Sequence, residues 1–348
     1  MPTNTAAWIL EKCGPIVVGA APMPEPREHE IVIRAHALAV NPVDGFMHAH
    51  GLLTTSWPTV LGCDVAGTIS TVGRSVTRFQ PGDRVTACVD QPPDAASRAN
   101  KGAFQVYCAA DEALSAKLPE KVSFTEGCVL PLAMCTAAAS LFQKSNLGLP
   151  LPKLDTKPSG KVLVVWGGSS SVGSCAIQLA RAAGCAVATT CGAENADYCR
   201  GLGAEYVFDH ASASVVEDIV HALQGTESVG VFDAIMAAGT LVQCAALAHR
   251  LDGKKHLATV LVGPPTTQVV PAGLPGDVGV SYCWGTTIRH DEVGTAVFGE
   301  WMTPALASGA LKCKPDAEIV GQGLEAVQEA CERMSRGVSA KKLVVVLP

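Results

Sequence analysis

The stretch VLVVWGGSSSVGSCAIQLARAAG, residues 162–184, decides the fold of this chain. Val162–Trp166 is apolar throughout, the pattern of a strand buried on both faces. Val172, Ala176, Leu179 and Ala183 recur at helical spacing directly after it. Strand, tight turn and helix N-terminus in immediate succession direct backbone N–H groups and the positive end of a helix dipole toward one point. That arrangement suits the pyrophosphate of a dinucleotide. Gly167 and Gly173 serve the turn and the close helix–strand contact, while the middle position, where glycine allows close approach, is Ser170. The hydroxyls of Ser169, Ser170 and Ser171 add phosphate donors.

Downstream, strands and helices alternate with short connections. The pattern predicts strands over 185–191, 205–209, 231–236 and 257–262, with helices near 195–202, from Ser214, and through 241–250. Such alternation signals a doubly wound parallel sheet. Sites that prefer NAD place Asp or Glu at the end of the second strand, roughly 20 residues past the motif, to hold the ribose 2′-OH. Here that place reads Cys191-Gly192-Ala193. A neutral end leaves room for a 2′-phosphate, with Arg200 or His210 as its charge partner, so NADPH is the expected cofactor.

Upstream the character differs. IVIRAHALAV (31–40), VAGTISTVG (65–73) and the turn PGDRV (81–85) read as short strands, and 90–101 is a Pro/Ala/Asn-rich loop. Ser123 and Glu126 form a capping-box pattern before an Ala/Leu-rich helical segment. After 290 the pattern changes again, with helices predicted over 301–311 and 324–336 and a closing strand KLVVVLP.

Composition narrows the function. Of 348 residues, 48% are hydrophobic and 17% charged, and the net charge is −6 with no basic run, which argues against nucleic acid. No uncharged stretch reads as the roughly 20 apolar residues of a membrane span. The N-terminus lacks a basic region followed by an apolar core, so no secretion signal is expected. Fourteen cysteines without a single Cys-x-x-Cys pair read as small buried hydrophobes in a reducing, cytoplasmic setting.

With NPVD (41–44), LGCDVAG (61–67), PGDRV (81–85), GAFQVY (102–107), PLAMCTAA (131–138), the glycine turn and GVSAKKLVVVLP (337–348) in this order, the chain resembles a medium-chain dehydrogenase/reductase. The resemblance is closest to the zinc-free quinone oxidoreductase and enoyl reductase branch, and within it to fungal trans-acting enoyl reductases that serve polyketide synthases. It implies an α/β chain with a GroES-like β-rich catalytic domain (1–125), a Rossmann NADP-binding domain (126–290) and a C-terminal segment (291–348) returning to the first. It also implies that Val43 and Asp44 lie near the cofactor and that Thr136 approaches the nicotinamide. Ser169, Ser170, Ser171, Val172, Cys191, Gly192, Asn195, Arg200 and His210 then line the pyrophosphate and adenosine end. Leu261, Val262, Ser339 and Ala340 complete the cleft.

Two departures accompany the resemblance. Where zinc-dependent relatives supply Cys, His and Cys, this chain has Asn41 and Cys63-Asp64, so no metal is expected. Where quinone and enoyl reductases often carry Tyr-Lys after NPVD, it has Gly45-Phe46. The expected reaction is hydride transfer to the β-carbon of an activated double bond on a small-molecule or acyl-carrier-bound substrate, with a polyketide synthase as partner. Thr136 is the candidate for stabilising the enolate, and Asp44, His48 and His50 are the nearest polar candidates for the proton. Competing readings make Asp44 a helix cap, His48 and His50 loop residues, and Thr136 a buried hydroxyl bonded to backbone. The whole chain can also be read as a cofactor-binding pathway partner without turnover, or as a redox-neutral catalyst on a polyketide-like ligand.

Overall fold

The structure, a computed structural model, describes residues 3–51, 53–54, 56–90, 101–260 and 273–348. Most of the expected 90–101 loop, with Leu261 and Val262, lies outside them. The chain forms two compact units, one of residues 1–132, 298–309 and 313–348, the other of residues 133–297 and 310–312.

The first unit is built mainly from strands. β1 (Asn4–Ile9) pairs with β2 (Ile16–Ala21) and β4 (Thr59–Val60). β3 (Glu30–Val40) is long and is followed by helix α1 (Pro42–His50). β5 (Asp64–Val72), β6 (Arg84–Cys88), β7 (Tyr107–Asp111) and β8 (Ser115–Lys117) extend the sheet around β3, whose register against β5 slips at two irregularities. Short α2 (Phe124–Gly127) opens on the capping box foreseen from sequence: Ser123 Oγ accepts from the Glu126 N–H at 3.2 Å and the Glu126 carboxylate accepts from the Ser123 N–H at 2.9 Å. α3 (Pro131–Phe142) follows. The stretch Phe124–Phe142 is long and apolar enough to cross a membrane by length and composition, yet 72% of it is buried inside the fold.

The second unit is a parallel sheet, as the alternation predicts, and it has six strands, one more than the pattern marks. β9 (Val162–Trp166), α4 (Ser171–Ala182), β10 (Ala186–Cys191), α5 (Ala196–Gly201), β11 (Tyr206–Asp209), α6 (Val215–Ala222), β12 (Ser228–Asp233), α7 (Ala238–Arg250), β13 (His256–Val260) and β14 (Gly279–Cys283) succeed one another. Their order across the sheet is β11-β10-β9-β12-β13-β14, so the winding reverses between β9 and β12. β9 is buried along its whole length.

One strand is shorter than its apolar pattern predicts. β12 ends at Asp233 rather than 236, because the buried Asp233 carboxylate turns the chain by accepting from the N–H groups of Ile235 (2.9 Å) and Met236 (3.2 Å). The chain then returns to the first unit through α8 (Met302–Ser308), β15 (Asp316–Gln322), α9 (Val327–Ser335) and β16 (Lys341–Val346). α8 stops short of the expected 311 because Gly309 adopts the left-handed conformation that ends helices, at φ +82°. β16 runs antiparallel to β3 and parallel to β15, which fixes the C-terminal strand inside the large sheet.

Candidate functional site

All strands of the second sheet run the same way, so the segments after β9, β10 and β11 emerge along one edge. Ligands of doubly wound sheets sit at that edge, where the winding reverses. The structure thereby brings together Ser169–Val172, Cys191–Gly192 and His210, and the His210 N–H donates to the Cys191 carbonyl at 3.0 Å.

The glycine turn is shaped by backbone contact. Gly167 takes φ +83°, and the helix comes so close that a Cβ on Gly173 would lie 2.2 Å from the Gly167 carbonyl oxygen. Ser170 is the N-cap of α4: its Oγ accepts from the Gly173 N–H at 3.0 Å and donates to the Gly167 carbonyl at 2.8 Å. Its one hydroxyl proton is therefore engaged in shaping the turn. The leading N–H groups of α4, at Ser171 and Val172, have no partner within the helix, as at any helix start. A pyrophosphate fits this cradle, which a side chain at 173 would fill.

At the ends of β10 and β11 the structure adds charge relations that spacing did not show. The Arg200 guanidinium donates to Asp197 at 2.8 Å, and His210 lies 3.9 Å from the Asp209 carboxylate. Thr136 sits half-buried on α3, and its carbonyl accepts from the Ser140 hydroxyl at 2.8 Å. The structure also supplies a residue that sequence reasoning passed over. Asp233 holds the segment after β12 through the two N–H groups noted above and the Thr240 hydroxyl at 2.7 Å, and burial pushes its carboxyl up. The signal was a lone acid closing an apolar strand.

In the first unit, NPVD folds into a buried polar cluster. The Asn41 N–H donates to Asp44 Oδ2 at 2.8 Å, the box that starts α1. Asn41 Nδ2 donates to Asp64 Oδ2 at 2.9 Å, and the Leu132 N–H donates to Asp64 Oδ1 at 2.7 Å. The Lys342 ammonium, 1% exposed, donates to Asp64 Oδ2 at 2.9 Å and to Asn41 Oδ1. Cys63 Sγ stands 4.0 Å from Asp44 Oδ1.

Asp44 is thus a cap as well as a site candidate, and it is wholly buried. Burial, with Asp64 adding to it, pushes its carboxyl up to about 6 against the opposing Asn41 N–H and Lys342. A folded-state value above the unfolded one near 4 means that the folded protein holds the proton longer. Stability at Asp44 is therefore fullest below about pH 4 and falls as pH rises toward 6. Asp44→Asn keeps an acceptor for Asn41 and removes the titration. The wild-type stability, measured relative to this variant by denaturant unfolding, is expected to drop by roughly 2 kcal/mol between pH 4 and pH 7. A pH-independent difference would show that Asp44 does not titrate in this window.

His48 lies in α1 and not in a loop, half-buried, with Nε2 buried and without a partner among the described residues. His50 is exposed and packs edge-on against Phe46 with ring centres 4.9 Å apart. Gly45 has a packing reason: a Cβ there would lie 3.1 Å from the Cys331 carbonyl of α9. Val43 is half-buried, Ser339 and Ala340 lead into β16, and Ala340 takes φ +48°. Among the described residues, no group of three or more His, Cys, Asp and Glu side chains is arranged to hold a metal ion.

Residues 27–120 match the alcohol dehydrogenase GroES-like domain and residues 171–274 the zinc-binding dehydrogenase domain. Dehydrogenase pigH of Monascus ruber is 39% identical with both chains covered in full. Trans-enoyl reductase himH of Aspergillus japonicus is 39% identical over 98% of this chain and 97% of its own. Among solved structures, mycobacterial Rv1454c complexed with NADPH aligns with a TM-score of 0.71 at 24% identity, covering 99% of each chain. The chain belongs to the medium-chain dehydrogenase/reductase family, and relatives of it that align over their full length carry the names dehydrogenase and trans-enoyl reductase. It is an oxidoreductase of that family, with a GroES-like domain and a Rossmann domain.

Proposed function

We propose that this protein is an NADPH-dependent reductase acting on the activated carbon–carbon double bond of an enoyl or quinone-like substrate, as a trans-acting enoyl reductase beside a polyketide synthase. The observation that carries the proposal is the turn after β9, where Gly173 lies against the Gly167 carbonyl and Ser170 caps α4. The full-length likeness to proteins named dehydrogenase and trans-enoyl reductase supports it.

In this reading Ser171 and Val172 bind the pyrophosphate through their N–H groups, helped by the Ser169 hydroxyl. Cys191, Gly192 and Asn195 bound the adenosine end, and Arg200 and His210 meet the 2′-phosphate. The assignments of Val43, Asp44, Ser339 and Ala340 to cofactor contacts belong to the same proposal, as do Leu261 and Val262. When bound, NADPH supplies the hydride. Thr136 donates a hydrogen bond to the oxygen on which negative charge develops. His48, whose Nε2 has no partner among the described residues, is the assigned proton donor for the α-carbon. Asp44, capped and enclosed, acts by positioning α1.

The test is NADPH consumption by the purified protein with an enoyl-pantetheine thioester, the same enoyl group on a carrier protein, and a quinone. The expected result is loss of NADPH in proportion to protein, a product two hydrogens richer, and deuterium transferred from labelled NADPH to the β-carbon. Binding of NADPH without consumption on any of the three substrates would leave a cofactor-binding protein and overturn the reductase assignment.

A further inference from the structure

The parallel sheet of the second unit has two ends, and the glycine turn occupies only one of them. Val162, Ala186 and Tyr206 open the neighbouring strands β9, β10 and β11 at the other end. They lie about 16 Å along the strands from the glycine turn. The structure holds a cleft of about 350 Å³ there, lined by these three residues together with Arg181, Glu205 and Thr226. Sites for small molecules usually span about 300–1,000 Å³.

One wall is a strap, residues 153–160, tied to the end of α4. The Thr156 hydroxyl donates to the Ala182 carbonyl at 2.7 Å, and the Ser159 N–H donates to the Gly184 carbonyl at 2.8 Å. Gly184 takes φ +84°, and a Cβ there would lie 2.6 Å from the Lys157 carbonyl oxygen. The strap is thus held close, and the cleft is formed before any ligand arrives.

The floor is apolar, made by Val162, Ala186 and the half-buried Tyr206 ring, all packed into the core of the unit. The rim carries two exposed charges of opposite sign, Arg181 and Glu205. Arg181 lays its stem over Gly203, where a Cβ would lie 3.2 Å from the Arg181 Cγ. Neither its guanidinium nor the Glu205 carboxylate has a hydrogen bond or ion pair among the described residues. Two opposite charges therefore line one cleft without meeting.

We propose that this cleft binds a small aromatic zwitterion, an α-amino acid with a ring side chain. Arg181 receives the carboxylate in its planar fork, Glu205 receives the ammonium, and the ring rests on the apolar floor beside Tyr206. A ligand with a carboxylate alone leaves Glu205 opposing it. One with an amine alone leaves Arg181 unanswered. Any direct pairing of Arg181 with Glu205 that the ligand must displace is weak, because both side chains reach solvent.

The experiment is a saturation-transfer NMR titration of the full chain with L-tryptophan, indole-3-propionate and tryptamine, which share a ring and differ in charge. L-Tryptophan is expected to bind with a dissociation constant of about 1 mM or below, and each single-charge analogue about tenfold more weakly. Arg181→Met is expected to weaken L-tryptophan about tenfold and tryptamine less than about twofold. Glu205→Gln is expected to weaken L-tryptophan and to leave indole-3-propionate bound as well or better. Both substitutions are at exposed positions, and an unchanged melting temperature shows that the variants fold. Tryptophan binding is expected to persist in saturating NADPH, since the glycine turn lies at the far end of the sheet. Equal affinity for the three ligands, no saturation by about 10 mM tryptophan, or indifference to Arg181→Met overturns the proposal. Displacement of tryptophan by NADPH overturns it as well, by placing both ligands at one site.

Discussion

Gly173→Val abolishes measurable dinucleotide binding, with the dissociation constant for NADPH rising by at least about a hundredfold, and destabilises the second unit by about 3 kcal/mol. The cause is local. The first atom of any side chain at 173 meets the Gly167 carbonyl oxygen at 2.2 Å and the Gly168 Cα at 2.8 Å. Both are backbone atoms of the turn, so no rotamer change relieves the clash. Either α4 moves away from β9 or the turn opens, and each outcome takes the α4 N–H groups away from the pyrophosphate position. Gly201→Ala is the control, since a Cβ there meets nothing within 4 Å. Fluorescence titration and thermal melts report the two effects separately. A Gly173→Val protein that binds NADPH like the wild type would show that the nucleotide sits elsewhere.

The second large effect is expected at Lys342. Its ammonium is enclosed with the Asp64 carboxylate at 2.9 Å. Lys342→Met fills much the same volume but leaves Asp64 charged and buried without its cation. Breaking such a pair from one side costs about 3–5 kcal/mol, because the remaining charge keeps its desolvation penalty. That corresponds to a fall in melting temperature on the order of 10 °C. Adding Asp64→Asn, which neutralises the stranded acid, keeps an oxygen to accept from the Leu132 N–H and can donate its amide to Asn41 Oδ1 once Lys342 no longer occupies that oxygen and the Asn41 amide turns over, is expected to recover more than half of the loss. If Lys342→Met costs less than about 1 kcal/mol, the ammonium is not what compensates Asp64.

The sequence made some parts legible because their chemistry is local. Val162–Trp166 has a single reading as a buried strand, and the Ser123 and Glu126 capping pair joins residues only three positions apart. The glycine turn is likewise defined by its immediate neighbours. The end of β12 was not legible, because apolar Ala234, Ile235 and Met236 continue the strand pattern while the Asp233 side chain terminates it. β14 was passed over because its Ser, Tyr and Gly content has no apolar run.

The polar cluster of the first unit was hidden for a different reason. Lys342 and Asn41 are 301 residues apart, and nothing in a linear pattern says that a lysine beginning a C-terminal strand is buried. Position 45 shows the same limit. Its departure from Tyr-Lys reads in sequence as a lost polar group, and only the Cys331 carbonyl, 3.1 Å from where a Cβ would stand, shows that glycine there also lets α1 and α9 approach closely.

Twelve of the fourteen cysteines are buried, Cys313 is half-buried, and Cys13 alone is exposed. Cys13 sits at a tight turn between β1 and β2, at φ +57°, away from the glycine turn in sequence. A thiol-rich protein of this kind ordinarily demands wholesale cysteine removal before any spectroscopic probe can be attached. Here a brief exposure to a bulky maleimide should mark one position in the native protein, giving a reporter dye on the first unit without a single substitution.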